Sequence, residues 1–281
     1  KNTRNDSSSK TRLLRAFHAM KKEPRLIGYA LPGGEGSASV STSTSVGVPT
    51  SFLKIESEIA PLAVEILDTQ CIGETVLVQG EASQWACQIA AKAIKEILET
   101  APNNTAHDSQ RCRVLEMATG KGGKLLGTLA ALSEMFGGNT NVPAMTWIAT
   151  DLSEAQRKFF LKDAEPVLKK LWPQVKVEFQ VRDWTQLENS ETKDLTEKFD
   201  FIWLDAPCTG FGTLSKLPEI AVLRGDTARK DTDVLSQKQL EMCKAGLTLL
   251  SEKFFYTVCT FTHPETKVVS QTCEGLLGRK P

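Results

Sequence analysis

Residues 114–136, VLEMATGKGGKLLGTLAALSEMF, decide how this chain folds. The first five are a short apolar run suited to a buried strand, and residues 124–136 carry apolar side chains at helical spacing. Between them Gly120, Gly122 and Gly123 predict a tight turn whose backbone N–H groups a ligand can approach closely, with a helix start that favours an anionic group. It is not a Walker loop, because the first glycine of that spacing is missing and no Ser or Thr follows Lys124. Taken alone, the same pattern fits a purely structural turn.

Working outward, further β-branched or aromatic runs at residues 146–151, 175–181, 199–207 and 253–260 predict strands. Helical patterns lie between them at residues 153–171, with Ser153 as N-cap, and at residues 232–250. This alternation implies an α/β fold, a doubly wound, mainly parallel sheet with helices on both faces. Ligands of such sheets sit at the carboxyl ends of the strands. Upstream, residues 32–50 form a Gly/Ser/Thr-rich stretch without apolar periodicity. A boundary near Pro49 therefore separates a helical or irregular segment and linker, residues 1–49, from the main domain, residues 50–281.

Composition sets outer limits. The chain has 281 residues, 41% hydrophobic and 24% charged, the makeup of a globular protein with a sizeable core. No apolar run approaches the roughly 18 residues a membrane span needs. Its seven cysteines are scattered, with no CxxC pair, so neither a disulfide framework nor a metal site is expected, and a reducing compartment is. Lys plus Arg equals Asp plus Glu at 34 each, yet residues 1–25 hold eight basic side chains against Asp6 and Glu23. RNA affinity is therefore local or borrowed from a partner, and the arm before Pro32 is expected to lie against RNA or a partner rather than on the domain's core. The chain begins with Lys, which suggests a processed or trimmed start. The Arg- and Ser-containing, acid-poor opening points to a mitochondrion, with a nucleolar or cytoplasmic site as the alternative.

Four strand ends carry the chemistry. Glu116 and the glycine turn form the first. Asp151 ends the second, where a carboxylate can accept hydrogen bonds from both hydroxyls of a ribose, and Asp183 follows the third, placed to reach a nucleobase edge. Each aspartate also fits a cap or turn role. Together they favour an adenosine-type cofactor. The fourth is FDFIWLDAPCTG, residues 199–210, which delivers Asp205, Pro207 and Cys208, and the next strand delivers Cys259 beside it. Two small buried thiols are the plain alternative.

From about Val78 to Glu274, through VQGEAS, the glycine-rich loop, Asp151, Asp183, DAPCTG with the following LPE, and the Cys259 segment, the chain resembles the Sun-type RNA 5-methylcytosine methyltransferases, which use S-adenosylmethionine on a Rossmann-like sheet. The resemblance implies Cys259 as nucleophile and Cys208 as the second cysteine that helps release product. It implies Asp205 at the target base, Lys124 by the reaction centre or cofactor, and Asp151 and Asp183 at ribose and adenine, with Glu116, Gly120, Gly122, Gly123, Lys124 and Asp205 also lining the cofactor site. The implied substrate is RNA, expected to be ribosomal RNA in a precursor, with protein partners in a larger complex. A thiolate adding to carbon 6 of cytosine makes carbon 5 nucleophilic, which explains a need for thiols. The base must also be unstacked to reach them.

Some positions depart from the family pattern. Ala118, Thr119, Gly120 and Lys121 stand where Cys, Ala, Ala and Pro are usual, adding a cation beside a cofactor that carries a sulfonium. Val258 replaces a Thr, Pro264-Glu265-Thr266-Lys267 replaces Pro-Glu-Glu-Asn, Ser251-Glu252 replaces a Gly-Gly, and the chain stops soon after Cys273, short of the final strands the resemblance implies. A second reading follows: a methyltransferase-like ribosome assembly factor with weak or no activity. A third, a methyltransferase of protein or small molecules, has no need for two thiols.

Overall fold

The computed structural model describes residues 27–30, 32, 52–54, 63–66, 76–100, 112–138, 140–186 and 198–278. Four short strands come first: β1 (Ile27–Ala30), β2 (Phe52–Lys54), β3 (Ala63–Ile66) and β4 (Val76–Val78), paired antiparallel in the order β2-β3-β1-β4. The segment expected to be helical or irregular thus contributes a strand that pairs with strands beyond Pro49. Tyr29 in β1 is 2% exposed and joins the main core cluster. For residues 27–30, the expectation that the arm before Pro32 lies off the core is therefore wrong, because a buried aromatic ring anchors them. Residues 1–26 lie outside the described residues.

The second sheet follows the predicted order, but its last strand ends at Thr257 rather than at residue 260, so Cys259 lies in the loop beyond it. Helix α1 (Glu81–Thr100) leads into β5 (Arg113–Met117), α2 (Gly123–Met135), β6 (Met145–Asp151), α3 (Glu154–Phe159), α4 (Glu165–Leu171), β7 (Val175–Val181), β8 (Phe199–Asp205), α5 (Glu219–Arg224), α6 (Ala228–Leu249), β9 (Leu250–Thr257) and α7 (Val269–Leu277). Five parallel strands lie in the order β7-β6-β5-β8-β9. The central strands β5, β6 and β8 are buried on both faces, which is why they read as continuous apolar runs rather than alternating ones. Residues of α1, α2, the Phe160–Ala164 segment and α4 pack one face, and those of α6 and α7 the other. The chain winds outward from β5 to β7 and then returns to β8, so the crevice of such a sheet falls between the carboxyl ends of β5 and β8.

Local chemistry explains the helix ends. Ser153 caps α3 by accepting the Gln156 N–H at 3.3 Å. The single helix expected over residues 153–171 is instead broken by a widened turn at Phe160–Ala164. Pro166 has no N–H to donate back into that turn, so the regular ladder cannot continue through it. Helix α1, which the sequence reading did not assign, buries Cys87, Ala90, Ala91, Ile94, Ile97 and Leu98 along one stripe. Four buried tryptophans each find an acceptor for the indole N–H: Trp147 on Glu116, Trp172 on Ser133, Trp184 on Thr150 and Trp203 on Thr257.

Candidate active site

The glycine loop is bent by three left-handed residues, Ala118 (φ 58°), Gly120 (φ 61°) and Gly122 (φ 84°). Its shape is held from β6. Asp151 accepts the Gly120 N–H at 3.0 Å and the Ser153 N–H at 2.9 Å, and the Thr119 N–H reaches the Thr150 carbonyl at 2.9 Å. From the other side the Gln79 amide donates to the Gly123 carbonyl at 3.1 Å, which places VQGEAS against the loop. A Cβ at Gly122 would meet the Phe160 ring at 2.7 Å, whereas one at Gly120 or Gly123 would meet nothing within 4 Å.

These two environments separate backbone strain from crowding. Gly122→Ala should cost about 1–3 kcal/mol from the combined left-handed backbone and overpacking, and Gly120→Ala only about 1 kcal/mol from the backbone. Calorimetric melting of the two variants checks this. Equal losses would show that Phe160 yields freely.

Lys121, the cation expected beside the cofactor, lies with its Nζ 4.5 Å from the centroid of the Phe159 ring. A ring face offers an ammonium group an attractive site, so the structure gives this extra charge a place on α3.

At the crevice, Lys124 Nζ pairs with Asp205 Oδ2 at 2.5 Å, and Thr257 donates to Asp205 Oδ1 at 2.8 Å. Burial opposes the lysine's charge, but the Asp205 carboxylate outweighs it and raises the lysine above its usual range. Beyond Asp205, Cys208 and Cys259 stand with their sulfurs 3.0 Å apart, and the Cys259 N–H also points at the Cys208 sulfur at 3.3 Å. The hydrogen bond from Cys208 pulls the Cys259 thiol down to about 7 against burial and Asp205, with Lys124 adding to the pull. The same hydrogen bond, with burial, pushes Cys208 up. At 3.0 Å the two sulfurs are close enough to share one proton, and the opposite shifts favour the thiolate on Cys259.

Alkylation of Cys259 by iodoacetamide should therefore rise with pH through a midpoint near 7, because the thiolate forms above that value. In Cys208→Ala the midpoint should move up toward about 8.5. Mass spectrometry of the Cys259 peptide measures both; an unmoved midpoint would mean that Cys208 does not stabilise the thiolate.

Behind the two cysteines lies a polar cluster that sequence reasoning missed. Glu265 is fully buried and accepts the Thr209 N–H at 2.9 Å, the Thr209 hydroxyl at 2.6 Å, the Thr262 hydroxyl at 2.6 Å and the Gln239 amide at 3.1 Å. Gln239 also donates to the Pro207 carbonyl at 2.9 Å, and the Tyr256 hydroxyl donates to the Glu265 carbonyl at 2.6 Å. The cluster ties the loop after β8 to the loop after β9. No local spacing announces it, since Thr209 and Glu265 stand 56 residues apart.

The predicted site residues thus gather at one sheet edge, and Glu116 is the one among them that is fully enclosed. Glu116 is fully buried below the loop, one oxygen accepting the Trp147 N–H at 3.1 Å, and burial pushes it up to about 8 against the pull of the Thr119 hydroxyl and Lys124. Both faces of β5 are covered at this point, so its carboxyl is enclosed beneath the loop, within electrostatic reach of Lys124 and Asp205. Asp183, two residues past β7, accepts the Thr185 hydroxyl at 2.7 Å and N–H at 2.9 Å, and the hydroxyl bond holds it below the usual carboxylate range.

The residues fit an adenosine-type cofactor. The backbone at Gly120 and Gly123 is open to close approach, with no heavy atom within 4 Å of where a Cβ would stand. Among the described residues, no group of three or more His, Cys, Asp or Glu is placed to hold a metal, and no helix is long and apolar enough to cross a membrane.

A five-stranded parallel sheet with a glycine loop and acidic strand ends defines a Rossmann-like methyltransferase, a class whose cofactor is S-adenosylmethionine. The family profile of 16S rRNA methyltransferase RsmB/F matches residues 105–274, and the chain belongs to that family. No curated protein sequence matches it. Among solved structures, the crystal structure of PH0851 superposes with a TM-score of 0.61 at 18% identity, covering 100% of this chain; this chain spans only 60% of the length of that protein. CurJ carbon methyltransferase gives a TM-score of 0.39 at 16% identity over 70% of this chain and 41% of its own. The O-methyltransferase from Bacillus cereus gives 0.36 at 15% identity, over 73% and 71%.

Proposed function

We propose that the chain is an S-adenosylmethionine-dependent RNA cytosine-5 methyltransferase, acting on ribosomal RNA through a covalent bond between Cys259 and carbon 6 of the base. The observation that carries this reading is the pair of sulfurs 3.0 Å apart, one drawn down to about 7, beside the Lys124–Asp205 ion pair. A methyl acceptor that is already nucleophilic needs no such pair; carbon 5 of cytosine does.

S-adenosylmethionine, when bound, supplies an electrophilic methyl group. Gly120, Gly122, Gly123 and Lys124 would line it, with Asp151 at the ribose and Asp183 at the adenine. The remaining chemistry belongs to the chain. The Cys259 thiolate adds to carbon 6, and the electron pair of the 5,6 double bond becomes available at carbon 5, which takes the methyl group. Asp205 accepts a hydrogen bond from the exocyclic amine, and Lys124 and Thr257 hold its carboxylate in place as charge shifts through the ring. The bond to carbon 6 removes the thiolate that had kept the proton on Cys208. Once that proton passes to solvent, Cys208 can take the proton from carbon 5, and the returning electron pair restores the double bond and expels Cys259.

The eight basic side chains of residues 1–25 support a role on RNA. Incubation with ribosomal RNA and methyl-labelled cofactor, followed by nucleoside analysis, tests the reading. Label in 5-methylcytidine is expected, and label in any other nucleoside refutes it.

A further inference from the structure

Phe261 stands two residues past Cys259 and is 68% exposed. Phe211 stands three residues past Cys208, and the two ring centroids lie 6.2 Å apart at a tilt of 38°. Neither ring is loosely held. The Gly212 N–H donates to the Cys259 carbonyl at 3.0 Å, the Thr209 and Thr260 hydroxyls meet at 2.9 Å, and Thr262 is fastened to Glu265 at 2.6 Å. The loop is therefore pinned on both sides of Phe261 while the ring faces solvent. The chain neighbours of Phe261 are Thr260 and Thr262, so the exposed ring is flanked along the chain by hydroxyl side chains.

We infer that Phe261, backed by Phe211, is the stacking platform for the RNA base next to the target cytosine. The inference rests on the RNA reading proposed above and adds a binding residue to it. A cytosine that puts carbon 6 on the Cys259 sulfur and its amine at Asp205 must leave its stack, which uncovers the face of its neighbour. The target itself occupies the strand ends, so the ring beyond Cys259 meets the adjoining nucleotide. Every base has a π-face, so such a platform supplies affinity without strict sequence choice.

The test uses the full chain and a short single-stranded RNA whose one cytosine is flanked by 2-aminopurine, a base whose fluorescence falls when it stacks on a ring. Wild-type protein should quench the signal on binding. Phe261→Ala should lose the quench and bind about tenfold more weakly, and Phe261→Trp should keep both. S-adenosylmethionine affinity and melting temperature should match wild type in the two variants, since the ring supports neither cofactor nor core. RNA binding with a quench equal in wild type and Phe261→Ala, or binding without any quench, overturns the platform and leaves the RNA reading standing. Failure of wild type to bind this RNA while it binds cofactor overturns both.

Discussion

Replacing Cys259 with alanine should reduce RNA methylation below detection and abolish any covalent protein–RNA complex, whereas Cys208→Ala should accumulate one. Without the Cys259 sulfur nothing adds at carbon 6. Without Cys208, addition and methyl transfer proceed but the carbon 5 proton has no acceptor, so release stalls. The complex should survive denaturing electrophoresis and vanish when both cysteines are replaced. A second signature follows from the shared proton. Cys208→Ala removes the hydrogen bond that draws Cys259 down to about 7, so the trapped complex should form slowly at neutral pH and faster as pH rises toward about 8.5. A complex retained in Cys259→Ala would assign the nucleophile to Cys208. If no variant forms a complex, none impairs ribosomal assembly and cofactor does not bind at Gly120 and Lys121, the chain is an assembly factor.

Much of this site was legible because parallel strands announce themselves. Residues 146–151 and 199–205 are apolar on both faces, and a strand that ends in an acid within a βα series must deliver that acid to the carboxyl edge; Asp151 and Asp205 fall there. The antiparallel sheet was not legible. Its strands are three or four residues long and offer no stretch on which alternation can be read. Helix α1 did carry a signal, since Cys87, Ala90, Ala91, Ile94, Ile97 and Leu98 recur at helical spacing. Glu116 shows the limit of strand-end reasoning: β5 is buried on both faces, so a carboxyl near its end is enclosed whichever face it takes. Glu265 shows another. Its partners come from the loop after β8, the loop after β9 and helix α6, and only the folded chain brings those together.

Removing that carboxyl should have the largest effect on stability. Glu265→Ala would leave the Thr209 N–H, the Thr209 and Thr262 hydroxyls and the Gln239 amide facing an empty space in the interior. Each abandoned buried donor costs about 1–3 kcal/mol, and partial relaxation and entering water reduce the sum to about 3–5 kcal/mol. For a domain of this size that is a fall in melting temperature of about 10 °C. Glu265→Gln should fall less, because its amide keeps one oxygen acceptor while its NH2 meets groups that also donate. The functional consequence is separate from the loss of stability. Thr209 follows Cys208 and Thr260 follows Cys259, so once Glu265 no longer holds Thr209 and Thr262, the two sulfurs lose their 3.0 Å alignment. At a temperature where Glu265→Gln is still folded, the alkylation midpoint of Cys259 should therefore shift upward from about 7. A variant that melts lower with an unmoved midpoint would confine Glu265 to stability, and an unchanged melting temperature in Glu265→Ala would show that the four donors find other partners.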